Sequence, residues 1–254
     1  MLAVSGASGH LGGLILRHLL GWVDASRVVA LSRTPDRVPD LGIRTRAADF
    51  AAPDGLVRAL DGVERLLLVS VDAITGRAPL HAAAIKAATK AGVGHIIYTS
   101  TTRAGDPGNP SAVAPDHHET ERLLAASVPA FTSLRFNIWP ETLTYMGIAQ
   151  RAVAAGELPS NAGDGRVAYL TRDDSAAVAA AVLAEGGSKG ELLEITGPAA
   201  VSDADLAAIL AETSGRPVRH VPVAEAAPRL TAMGTPAPPA QAWAGGLAWG
   251  LKGI

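Results

Sequence analysis

Three glycines near the start of the chain stand at a spacing that can hold a phosphate: Gly6-Ala7-Ser8-Gly9-His10-Leu11-Gly12, directly after the short apolar run Leu2-Ala3-Val4-Ser5. Where such a run is a strand and the following residues a helix, the first glycine makes the tight turn. The second lets the backbone approach a pyrophosphate, and the third allows close packing of helix on strand. The helix N-terminus adds unpaired N–H groups and the positive end of its dipole. Glycines also punctuate ordinary loops, so the motif carries weight only through its flanks, a strand before it and a helical 11–20 after it. The chemistry implied is that of a bound dinucleotide carrying hydride, with all of 6–12 as cofactor-binding residues.

The end of the second strand selects the nicotinamide cofactor. An acidic residue there holds the ribose 2′-hydroxyl, whereas an Arg accommodates a 2′-phosphate. Here the chain reads Ser32-Arg33-Thr34-Pro35, with Asp36 only beyond the proline. Arg33 is either a 2′-phosphate ligand or a solvated surface charge. The first reading makes NADP(H) the preferred cofactor and leaves NAD(H) admissible.

These residues need a scaffold, and the pattern supplies one. Apolar β-type runs at 2–5, 27–32, 43–47, 65–70, 95–100 and 130–136 alternate with helix-type stretches near 11–21, 53–60, 79–91 and 116–126, as in a doubly wound parallel sheet. Turn signals at Ser32–Pro35, Asp61-Gly62 and Ala91-Gly92 fall between them. The fold class is therefore α/β, a Rossmann doubly wound parallel sheet with a smaller C-terminal α/β lobe. A strand-like 192–196, the Gly197-Pro198 turn and a capped helix over 202–214 begin that lobe. The expected division is 1–136 with about 165–190 for the NAD(P)-binding domain, and 137–164 with about 191–254 for a substrate lobe. The Ala-, Gly- and Pro-rich 235–254, with Trp243 and Trp249, reads as a flap, a packed helix or a tail.

Composition removes several functions. A net charge of −2 without a Lys/Arg run argues against nucleic acid or an anionic membrane surface as partner. The absence of cysteine excludes disulfides, thiolate metal sites and cysteine nucleophiles, and no metal site is expected. The longest small-apolar run, 176–184, is too short to cross a bilayer and follows Arg172-Asp173-Asp174 as a helix start would. With no leader pattern before Leu2, a cytoplasmic protein is expected.

The glycine motif, 29–35, Ala48-Asp49-Phe50, Asp61-Gly62-Val63 leading into 66–70, 91–100, 117–124 and Gly163-Asp164-Gly165 together resemble the NmrA-like branch of atypical short-chain dehydrogenases. Within that branch the chain is similar to the group of type 2 NAD(P)H:quinone oxidoreductases and triphenylmethane reductases, over nearly its whole length to about residue 225. The resemblance implies that Asp49 and Phe50 face the adenine and that Ser70 and Val71 lie beside the cofactor. It also places Tyr169, Thr171 and Arg172 in a second cofactor-side segment; Tyr169 and, from its place in the loop after the sixth strand, Trp139 are the substrate-side candidates. Each has a plainer reading: a strand-end cap for the first four, an ion pair with Asp173 or Asp174 for Arg172, core packing for Trp139.

Ordinary short-chain dehydrogenases carry Tyr-x-x-x-Lys, the phenol acting as general acid. Counting back from Glu121-Arg122-Leu123-Leu124, those positions hold Val113 and His117. Val113 cannot donate a proton to an alkoxide, so the standard alcohol dehydrogenase mechanism is ruled out. His117 and Ser100, the latter near the usual third catalytic position, are the remaining weak catalytic candidates. His117 either meets the nicotinamide ribose or forms a polar helix start with Asp116 and Glu119; His118 has the same two readings. Asn137 closes the sixth strand, where ligands of open α/β sheets collect. In the resembling group an Asn directly follows the Arg, whereas here Phe136 stands between Arg135 and Asn137.

A quinone or a cationic dye accepts hydride without a general acid, so geometry and exclusion of water suffice. The sequence thus reads as an NADPH-dependent oxidoreductase reducing a quinone or similar electron-poor aromatic. The alternative is a non-catalytic NADP(H) sensor binding a protein partner, favoured by the missing Tyr and Lys. A nucleotide-sugar epimerase also needs the Tyr. The small-molecule acceptor is the expected partner, and a homodimer is compatible with the sequence.

Overall fold

The computed structural model describes residues 1–73, 75–109, 111–237 and 240–241. The expected feature at 235–254 lies largely outside them, as do Trp243 and Trp249. The chain divides into two compact units, one of Met1–Gly105, Val113–Phe136 and Arg172–Ile195, the other of Asp106–Ala112, Asn137–Thr171 and Thr196–Ile254.

The first unit is built on seven strands: β1 (Leu2–Val4), β2 (Val28–Ser32), β3 (Arg44–Ala47), β4 (Arg65–Leu68), β5 (His95–Thr101), β6 (Phe131–Phe136) and β9 (Glu191–Ile195). They form one sheet in the order β3-β2-β1-β4-β5-β6-β9, every neighbouring pair parallel. Strands β1 and β2 are buried throughout, as continuous apolar runs in a doubly covered parallel sheet must be. The order reverses between β1 and β4, which makes their carboxyl ends the switch point where ligands of such sheets collect. Edge strand β3 is mostly exposed, and its Arg44 and Arg46 keep it from pairing further.

Helices α1 (His10–Leu19), α2 (Leu56–Ala59), α3 (Arg77–Lys90), α4 (Ala114–Ser127) and α7 (Arg172–Glu185) cover the sheet. Helix α1 packs against α7, whose buried face is Ser175, Ala176, Ala179, Ala180 and Leu183; small side chains let the two approach closely. Two arginines satisfy orphan helix carbonyls: Arg65 Nη1 donates to Leu183 O and Ala184 O at 2.7 and 2.6 Å, and Arg46 Nη1 to Ala59 O and Asp61 O at 2.9 and 2.7 Å.

Strand β9 departs from the expected boundary, since the sequence reading starts the lobe near 191. It is instead the seventh strand of the main sheet. Glu194 explains the attachment: it accepts from Thr102 Oγ1 at 2.8 Å, from the Arg103 N–H at 3.0 Å and from Arg135 Nη1 at 3.2 Å, tying β9 to the ends of β5 and β6. The expected helix at 53–60 is a 3-10 turn, Pro53–Gly55, followed by one α turn.

The second unit has two small sheets. β7 (Glu157–Ser160) pairs in parallel with β11 (Arg219–Pro222), and β8 (Arg166–Val167) antiparallel with β10 (Val201–Ser202). Around a core including Leu143, Ile148, Leu158, Leu206 and Leu230 lie α5 (Glu141–Tyr145), α6 (Ile148–Ala155), α8 (Asp203–Ser214) and α9 (Ala226–Ala232). Helix α8 begins with a reciprocal cap, Ser202 Oγ accepting from the Asp205 N–H while Asp205 accepts from the Ser202 N–H. Gly197 is required where it stands: a Cβ there would lie 1.7 Å from the Tyr169 carbonyl oxygen. Among the described residues no helix is long and apolar enough to cross a membrane.

Candidate functional site

The loop after β1 has the shape its glycines predict. Gly6 takes φ +63°, a left-handed value that disfavours any side chain, and its carbonyl accepts from the Gly9 N–H at 2.9 Å. A Cβ on Gly12 would stand 2.2 Å from the Gly6 oxygen and 2.7 Å from its carbonyl carbon, so the first turn of α1 closes on the loop only without a side chain there. Gly9 caps α1 in an extended conformation, with no side chain bonded to the helix start and no acid in the first turn. Ser8 Oγ lies 2.8 Å from Ser32 Oγ, which also accepts from the Thr34 N–H at 3.0 Å, joining the loop to the end of β2. Ala7 and Leu11 are buried beneath; His10 is exposed.

A cleft of about 400 Å³ opens beside this loop, lined by Ser8, Gly9, His10, Gly13, Leu14, Arg17, Arg37, Pro39 and Arg172. An uncapped helix start, a backbone cradle that a Cβ would fill and three arginines fit the phosphates of a dinucleotide. Arg33 follows Ser32 at the strand end, exposed and without a hydrogen-bond partner among the described residues. Arg37 and Arg17 escape the sequence reading. Arg37 is the last residue of the Pro35–Arg37 3-10 turn, which carries it back to the cleft, and Arg17 stands two turns into α1.

Asp49 is exposed and closes its own turn, Oδ1 accepting from the Ala51 N–H at 3.0 Å, while Phe50 packs on the core under β3. The end of β4 packs directly on the glycine loop: the Val69 N–H donates to Ser5 Oγ at 2.9 Å. The next two N–H groups, of Ser70 and Val71, donate to Thr99 Oγ1 at 2.9 Å and His81 Nε2 at 3.2 Å.

Beneath Ser70 and Val71 lies a network drawn from α3, β5 and α4. Arg77 Nη1 donates to His117 Nε2 at 2.8 Å and to Ser70 Oγ at 3.2 Å, and its Nε donates to Ala73 O. A guanidinium has no acceptor, so His117 Nε2 must carry the lone pair. Its proton is on Nδ1, donated to Tyr98 Oη at 2.8 Å. The same logic holds for His81, whose Nε2 accepts a backbone N–H and whose Nδ1 therefore donates to Thr120 Oγ1 at 2.9 Å. Burial, reinforced by the charge of Arg77, lowers His117 to about 3 and His81 to about 4; burial raises the Tyr98 phenol. His117 thus stands inside the fold, neutral, with both ring nitrogens engaged, and is no general acid.

Ser100 is likewise committed. Its hydroxyl donates to Glu121 Oε1 at 2.8 Å, which also accepts from Ser133 Oγ at 2.7 Å and Arg135 Nε at 2.9 Å, while Arg135 Nη2 reaches Oε2 at 2.7 Å. Burial pushes the Glu121 carboxyl up, but the donors Arg135, Ser133 and Ser100 outweigh it and hold the group below its ordinary value. His118 stands at the rim, 4.0 Å from Glu121 Oε2.

In the second unit Asn137 is buried, with Oδ1 accepting from the Ile138 N–H at 2.7 Å. The Trp139 carbonyl accepts from the Thr142 N–H and hydroxyl at 3.0 and 2.6 Å, starting α5. The Tyr169 hydroxyl is buried without a hydrogen-bond partner among the described residues; burial and the Asp203 charge hold the phenol high.

Comparison with known proteins agrees with this geometry. The profile of the NAD(P)H-binding family matches residues 6–186. Quinone oxidoreductase 2 of Escherichia coli K12 is 39% identical over 241 residues, 93% of this chain and 83% of that protein. The crystal structure of E. coli NADPH-dependent quinone oxidoreductase QOR2 with NADPH superposes with a TM-score of 0.89 at 37% identity, covering 98% of this chain and 88% of that one. Citrobacter sp. triphenylmethane reductase with NADP(H) gives 0.88 at 32% identity, covering 100% and 92%. The chain therefore belongs to the NAD(P)H-binding, NmrA-like family of Rossmann-fold proteins.

Proposed function

We propose that the chain is an NADPH-dependent oxidoreductase that transfers hydride to a quinone or similar electron-poor aromatic acceptor. The observation that carries this reading is the arginine-lined cleft beside a glycine loop whose Gly12 tolerates no Cβ, in a chain alike over nearly its full length to reductases of such acceptors. The backbone of Gly6–Gly12 and the start of α1 hold the pyrophosphate. Arg33 and Arg37 favour a 2′-phosphate, and Ser70 and Val71 support the nicotinamide half from the end of β4. Bound NADPH supplies the hydride.

No side chain of the Tyr98–His117–Arg77 network is a ready acid: the histidine is neutral with both nitrogens occupied, and the phenol is fully buried. The proton that completes reduction comes from water, and the protein contributes orientation and field. Steady-state oxidation of NADPH and NADH, measured against enzyme concentration with a panel of quinones and a triphenylmethane dye, tests the reading. Acceptor-dependent turnover preferring NADPH is expected; tight NADPH binding with no turnover on any acceptor would point to a sensor instead.

A further inference from the structure

Arg77 holds a position that its packing role leaves unexplained. Its guanidinium is half-buried at the carboxyl ends of β4 and β5, on the far side of the glycine loop from β2 and β3. A dinucleotide lying across these strand ends, with its adenosine half toward Arg33, places its nicotinamide half on this side. The side chain is fixed by three bonds, Nε to Ala73 O and Nη1 to Ser70 Oγ and His117 Nε2, while Nη2 has no partner among the described residues. Nor does any carboxylate form an ion pair with it among them. Asp72 and Asp116 act on it only at a distance, and Asp116 Oδ2 is taken by the Arg77 backbone N–H at 2.9 Å. Its immediate neighbours, His117, His81 and Tyr98, are neutral in the states derived above. A partly desolvated cation with no ion-pair partner and an unused Nη2 is costly unless an anion uses it.

We infer that Arg77 is a catalytic residue whose Nη2 binds the oxyanion formed when a quinone acceptor takes up hydride, with Ser70, His117 and Tyr98 as its positioning residues. The inference rests on the reductase reading above. The balance is simple. The quinone gains one hydride, which is a proton with two electrons, as the dihydronicotinamide is oxidised, giving a hydroquinone monoanion that water then protonates. A cationic triphenylmethane dye gaining the same hydride at its central carbon becomes neutral, so no anion forms and a nearby guanidinium offers it nothing.

The two acceptors therefore separate chemistry from scaffolding. Replacing Arg77 by Gln is expected to lower kcat/KM for 1,4-benzoquinone about 100-fold. Dye reduction should be unchanged or faster and the NADPH Kd the same within about twofold, while Arg77→Lys keeps a cation and recovers part of the quinone activity. A readout independent of turnover uses 4-nitrophenol, whose phenolate absorbs visible light: bound to the wild-type protein it should ionise at lower pH than in buffer, and with Arg77→Gln at its free value. Equal losses for quinone and dye, loss of NADPH binding, or an unchanged probe titration would each overturn the assignment. If the wild type turns over neither acceptor, the reductase reading fails by itself and the probe titration still decides whether an oxyanion site exists.

Discussion

Arg77 Nη1 lies 2.8 Å from His117 Nε2, and this contact sets the tautomer of the buried imidazole. A donor that cannot accept forces the imidazole to present its lone pair, and the proton moves to the Tyr98 side. Burial, with the charge of Arg77 beside it, keeps that imidazole neutral.

The first prediction concerns pH. His117 and His81 are lowered in the folded state to about 3 and about 4 from an ordinary 6.5. As pH falls below 6.5 the unfolded chain binds protons that the folded chain does not, so stability decreases toward acid. Each histidine contributes a slope of up to about 1.4 kcal/mol per pH unit between 6.5 and its folded value. Urea melts at pH 7 and pH 5 should show the loss, and His117→Gln should make it shallower. An identical pH dependence in that variant would contradict the buried neutral assignment.

A second prediction follows from the glycine loop. Gly12→Ala puts a methyl 2.2 Å from the Gly6 oxygen, so the helix must shift, with a stability cost of about 1–3 kcal/mol and a loss of NADPH affinity of at least about 100-fold. At Gly9 the same methyl meets that oxygen at 3.2 Å, and the loss should be clearly smaller. Fluorescence titration of both variants with NADPH ranks them.

Cofactor choice gives a third. Glutamate in place of Arg33 or of Arg37 should weaken NADPH far more than NADH, since the new charge opposes only the 2′-phosphate. Isothermal titration with both cofactors is the check. Equal losses would remove these arginines from the 2′-phosphate.

The fourth separates Ser100 from catalysis. Because its hydroxyl is spent on Glu121, Ser100→Ala should cost about 1 kcal/mol of stability and leave turnover nearly intact. Glu121→Gln breaks a buried ion pair with Arg135 and should cost about 3–5 kcal/mol. Thermal melts alongside NADPH oxidation distinguish the two effects.

Those residues also show where a sequence can be read. The glycine loop is local: strand, turn and helix lie within twenty residues, and their spacing alone implies a phosphate cradle. The parallel sheet was legible because a doubly covered strand must be a continuous apolar run. The Tyr98–His117–Arg77–His81 network was not, since the partners it joins across α3, β5 and α4 sit 17 to 40 residues apart and each looks ordinary where it stands. Tyr98 hides inside the strand His95–Thr101, and only the parallel register brings it under the end of β4. Arg37 was missed because a 3-10 turn, not the strand, returns it to the cleft. The short strands of the second unit carry two to four residues each, too few for a period to declare itself.

Hydride transfer from bound NADPH to an aromatic acceptor is followed without steady-state complications in a single-turnover experiment. Enzyme loaded anaerobically with one equivalent of NADPH is mixed rapidly with 1,4-benzoquinone while the dihydronicotinamide absorbance is followed. Its loss is expected, matched one-to-one by hydroquinone, at a rate well above that of NADPH and quinone in buffer. Decay no faster than in buffer, with the cofactor still bound, would contradict it.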